Sequence, residues 1–88
     1  MPEVKITGVM LEHVARKAKE GDGVYHSLIV YEQGQKYRRS LLEVKIPSGE
    51  TQAANLALAD RLVGKIGSIV CDMATYDDKV TYYLKNAA

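Results

Sequence analysis

A chain of 88 residues, 47% apolar and 26% charged with a net charge of +1, has room for one domain with a modest core. No run approaches the ~20 apolar residues of a membrane span. A single cysteine leaves no internal disulfide, and Cys71, His13 and His26 lack the spacing of a zinc site, so no metal is expected.

The opening "MPEVKITGVM" has no basic stretch followed by an apolar run, so no secretory leader is expected and the cytoplasm is the expected location. Val4 and Ile6 alternate with polar neighbours, Gly8 interrupts, and the pattern resumes through Val9, Leu11 and His13 or through Met10 and Val14. A glycine that breaks a strand's phase predicts one long first strand with a bulge or sharp bend there. The strand runs into "ARKAKEGDG", where Gly21 and Gly23 mark a hairpin tip carrying Arg16, Lys17 and Lys19.

From Val24 to Tyr31 the alternation is strict, with Val24, His26, Leu28 and Val30 on one side and Tyr25, Ser27, Ile29 and Tyr31 on the other. If Glu32-Gln33-Gly34 forms a three-residue turn, Tyr31 pairs with Gln35, Ile29 with Tyr37, Ser27 with Arg39 and Tyr25 with Leu41. That register gathers Tyr25, Ser27, Ile29, Tyr31, Tyr37, Arg39 and Lys45 on one face. It leaves Val24, Leu28, Val30, Leu42, Val44 and Ile46 for the core, whereas a two-residue turn mixes the faces.

"IPSGETQAANLALADRLVGKIG" is the one convincing helix, from about Thr51 to Val63, with Ser48 as N-cap, Gly64 as stop and Ala53, Leu56, Ala59, Leu62 and Val63 on its apolar face. "GSIVCDMATYDDKVTYYLKN" then reads as a second hairpin: Ile69, Cys71 and Met73 alternate, Asp77-Asp78 turns the chain, and Val80, Tyr82 and Leu84 alternate back. This order, in one domain over residues 1–88, predicts a mainly β fold, a five-stranded Greek-key barrel of the OB type with one α-helix between strands 3 and 4. An SH3-like barrel has room for only one helical turn at that late position. An open α+β sheet with the helix on one face is the other arrangement the order allows.

The layout resembles that of the small OB-fold single-stranded-DNA-binding proteins, in particular the helix-destabilising proteins of filamentous phages. The resemblance is carried by the early "VKI", the tyrosine-bearing "GVYHSLIVYEQGQKY", the third strand "LLEVKIPSGETQ" and "VGKIGSIV", which is also similar to the longer bacterial single-strand binders. It implies a binder belonging to a phage, plasmid or other mobile element, active in DNA replication or transfer.

The charge distribution agrees with such a role. Lys36 to Pro47 holds four cations against one acid, in a chain that is otherwise nearly neutral. Sequence-independent single-strand binding needs aromatic faces on which bases stack and cations that follow the phosphates. Tyr25, Tyr31 and Tyr37 would supply the first, and Arg38, Arg39, Lys45, Arg16, Lys17 and Lys19 the second; the ligand is single-stranded DNA, with RNA open. Tyr76 and Tyr83 alternate onto the face opposite Tyr82 and extend a contact surface. The second reading of the tyrosine face is a protein-interaction or dimer surface, and a homodimer is expected in either case because the core is small.

His26 shares parity with core positions and reads as a partly buried, hydrogen-bonded residue with no catalytic partner, and Cys71 as a small core residue. Asp77 and Asp78 serve a turn rather than a carboxylate site. With no glycine-rich phosphate loop and no nucleophile with a base, neither enzyme activity, a cofactor nor a small-molecule substrate is expected.

Overall fold

Alternation becomes five strands in the computed structural model, which describes residues 2–19, 21, 23–32 and 40–87. The elements are β1 (Glu3–Lys17), β2 (Val24–Glu32), β3 (Ser40–Ile46), α1 (Gln52–Leu62), β4 (Ile66–Tyr76) and β5 (Lys79–Ala87). The sheet closes on itself in the order β1-β2-β3-β5-β4, a mainly β barrel with one helix between the third and fourth strands. The seam that closes it is short: among the described residues β3 and β5 pair in parallel at Val44↔Tyr82 and Lys45↔Tyr83. No described helix is long and apolar enough to cross a membrane.

β1 serves two neighbours, its first half pairing with β4 through Glu3↔Asp72 to Val9↔Ile66 and its second with β2 through Gly8↔Glu32 to Lys17↔Val24. Gly8 sits where the two pairings overlap. A Cβ there would stand 2.1 Å from the Tyr31 carbonyl oxygen, so the residue is glycine because two backbones meet. The bulge expected at Gly8 falls three residues later, between Met10↔Val30 and Glu12↔Ile29, and turns the second half of β1 around the barrel.

The faces of β2 and β3 are as expected, but their register is not. Tyr31 pairs with Leu41, Ile29 with Glu43 and Ser27 with Lys45, a shift of six residues from the three-residue-turn register. Because six is even, every side chain keeps its face. Leu28, Val30, Val44 and Ile46 are fully buried or nearly so, together with Ile6, Met10, Ile69, Cys71 and Leu84, while Val24 lies half-exposed at the barrel's end. Leu42 and Tyr82 pack partly against this core.

The helix packs against β1, β3 and β5. Its buried residues are Asn55, Leu58 and Ala59, with Leu56, Leu62 and Val63 packed at their flank; Ala53, expected on the inner face, is exposed. Thr51 rather than Ser48 occupies the N-cap and makes no side-chain capping bond. At the other end the Val63 N–H donates to the Ala59 carbonyl, and Gly64 takes the left-handed conformation at φ 85° that lets the chain leave for β4. Asp77 and Asp78, at φ 48° and 61°, form the tight turn between β4 and β5, the backbone shape a two-residue hairpin loop demands.

Candidate nucleic-acid interface

Register decides which outward side chains become neighbours. On the outer wall Arg16 of β1 lies opposite Tyr25 of β2, Lys45 of β3 opposite Ser27, and Tyr83 of β5 opposite Lys45. Tyr25 is thus a diagonal neighbour of Lys45, and Tyr25 and Tyr83 stand roughly 12 Å apart from strand spacing and rise. That separation suits two rings that each take their own base.

These side chains share one open groove of about 1160 Å³, which runs from the outer wall over the barrel's end to Pro47, Ser48 and Gln52. Arg16, Lys17, Lys19 and Lys45 line it, and among the described residues the one carboxylate that does so is Glu43. Arg16 lies 3.8 Å from Glu43, with both groups exposed, a weak pairing in water. Among the described residues no carboxylate comes within ion-pair distance of Lys17, Lys19 or Lys45. Tyr25 is 69% exposed, an uncommon placement for so large an apolar ring.

Tyr31 belongs to a different neighbourhood. Val9 lies opposite both Ile66 and Tyr31, and Tyr31 opposite Leu41, so Ile66, Val9, Tyr31 and Leu41 form an apolar row across four strands of the outer wall. Ile66 and Leu41 are 65% and 62% exposed. Between this row and the basic groove runs the pairing Glu12–Ile29–Glu43, whose two carboxylates repel a phosphate chain. Of the residues expected to bind nucleic acid, Tyr25, Lys45, Arg16, Lys17 and Lys19 therefore come together on the groove, joined by Tyr83, while Tyr31 stands apart. Tyr37, Arg38 and Arg39 lie outside the described residues.

A chain of polar groups meets the groove at His26. This lining residue places Nδ1 2.9 Å from Nε2 of His13, whose Nδ1 lies 2.9 Å from Asp60 Oδ1 on α1. His26 thus has the partner that local pattern does not reveal. Its neighbours on the adjacent strands are Ala15 and Ile46, and His13 lies opposite Leu28, a pairing reached only through the bulge at Leu11. The three groups bond in series rather than converge on one point, and no metal-holding cluster of His, Cys, Asp or Glu occurs among the described residues. Cys71 is fully buried, and burial, reinforced by the neighbouring Asp72 carboxylate, pushes its thiol up to about 12. Such a thiol is a packing element and a poor nucleophile.

The chain matches no protein-family model, no curated protein and no solved structure.

Proposed function

We propose that this protein binds single-stranded nucleic acid, foremost DNA, without sequence preference and without catalysis, in the service of replication or transfer of phage, plasmid or other mobile-element DNA. The observation that carries the proposal is the meeting of two tyrosines, the exposed Tyr25 and the half-buried Tyr83, with four cations, Arg16, Lys17, Lys19 and Lys45, on one open groove. Bases stack on the rings and phosphates follow the cations, neither of which reads sequence. A cytoplasmic setting and a homodimer, which would lengthen the track, belong to the same proposal. Tyr37, Arg38 and Arg39 are assigned to the surface on sequence grounds.

The chain has six tyrosines and no tryptophan, so tyrosine emission reports stacking directly. Oligo-dT is expected to quench it, and Tyr25→Leu and Tyr83→Leu are each expected to weaken binding about five- to hundredfold, the range for loss of one stacked base. Full affinity in both variants would refute the assignment.

A second function is favoured by the apolar row Ile66–Val9–Tyr31–Leu41, which suits a protein contact better than a phosphate chain. On this view the tyrosine face is divided: Tyr25 serves nucleic acid, and Tyr31 serves dimerisation or a protein partner.

A further inference from the structure

His26 has one ring nitrogen engaged and one turned elsewhere. Nδ1 bonds to His13, whereas Nε2 has no hydrogen-bond partner among the described residues. No buried side-chain nitrogen or oxygen among them is left without a partner, so Nε2 reaches solvent, and the groove is what His26 lines.

Proton positions along Asp60–His13–His26 follow from what each atom can donate. An ionised carboxylate only accepts, so with Asp60 ionised His13 carries its hydrogen on Nδ1 and offers a bare Nε2. His26 must then supply the hydrogen between the rings from Nδ1, which leaves its own Nε2 bare in the neutral pair. One added proton changes that end of the chain. Whether the charge rests on His26 or, with the bridging hydrogen shifted, on His13, Nε2 of His26 then carries an N–H.

We propose that His26 is a proton-gated anion contact of the groove: it shows phosphate a lone pair when the pair is neutral and an N–H donor backed by the pair's positive charge when the pair holds a proton. Single-strand binding therefore tightens on acidification, with His13 and Asp60 as positioning residues; this rests on the nucleic-acid function of the groove. Among the described residues, the charged groups at the pair and along the groove are Asp60 on α1, Arg16 and Lys17 on β1, Glu43 and Lys45 on β3, and Lys19 at the hairpin tip, with Tyr25 and Tyr83 as the further titratable groups on the walls. Imidazole is the side-chain type among these whose ordinary change of charge falls between about pH 6 and 8, so it is the sensing chemistry.

The test is anisotropy of labelled oligo-dT over a salt series at about pH 6 and about pH 8. The native protein is expected to bind about three- to tenfold tighter at the lower pH, with a salt slope steeper by about 0.7. His26→Gln keeps an amide donor with nothing to titrate and is expected to bind alike at both. Equal native affinities, or a pH dependence that survives His26→Gln, overturn the proposal and leave the groove's function standing; no binding at either pH removes that function itself. Ring nitrogen shifts of the free protein examine the proton chain without any ligand. At about pH 8 His26 is expected as the Nδ1–H tautomer with bare Nε2, and finding the hydrogen on Nε2 overturns the proposal.

Discussion

Lys45 stands directly opposite Tyr83 across the parallel junction of β3 and β5, the seam that closes the barrel. Backbone pairing thus sets the cation beside the ring, and Tyr25 on β2 is the diagonal neighbour of the same lysine. A base stacked on either tyrosine brings its phosphate within the field of Lys45.

Replacing Lys45 with alanine tests that geometry. Its side chain is exposed, so thermal stability is expected to change by less than about 0.5 kcal/mol. The slope of log affinity against log salt is expected to fall by about 0.7, the share of one phosphate contact on a single strand. An unchanged slope would place the phosphates elsewhere.

The apolar row makes the opposite prediction. Tyr31→Ser combined with Leu41→Ser should lower the protein's mass in sedimentation if the row joins two copies, while oligo-dT affinity per subunit changes less than about threefold, short of the loss of a stacked base. A large loss of affinity with no change in mass would return Tyr31 to the nucleic-acid surface.

Much of this was legible in the sequence, and what was not has a physical cause. Two-fold alternation reveals faces, so the core of Leu28, Val30, Val44 and Ile46 and the placing of Tyr25, Tyr31, Lys45 and Tyr83 on the opposite face could be read from it. Alternation does not reveal register when the shift is even, and the six-residue shift between β2 and β3 preserved every face while changing every partner. The separation of Tyr25 from Tyr31 depends on partners from β1 and β4, and the His13–His26 bond on a bulge at Leu11 that no local signal marks.

Gly8 yields a stability prediction. Gly8→Ala forces a methyl against the Tyr31 carbonyl, a backbone group that cannot swing aside, and should cost about 1–3 kcal/mol in chemical unfolding. Wild-type stability in this variant would mean that β1 and β2 do not meet there.

Cys71 makes stability depend on alkaline pH. Its folded-state value, about 12, lies above the ordinary 9.0, so the folded chain keeps a proton that the unfolded chain gives up. Stability is therefore unaffected by this group below pH 9 and falls by up to about 1.4 kcal/mol per unit as pH rises toward 12. Cys71→Ala should lack that part of the slope, and the native thiol should resist alkylation until the protein unfolds. Rapid alkylation of the native protein would contradict the burial.

The most direct measurement is anisotropy of labelled oligo-dT titrated with the protein at low and high salt, with a duplex of equal length as competitor. Tight binding that weakens steeply with salt and that the duplex fails to displace is the expected result. Absence of binding at low salt, or displacement by duplex as readily as by unlabelled oligo-dT, would contradict single-strand binding at the Tyr25–Lys45–Tyr83 groove.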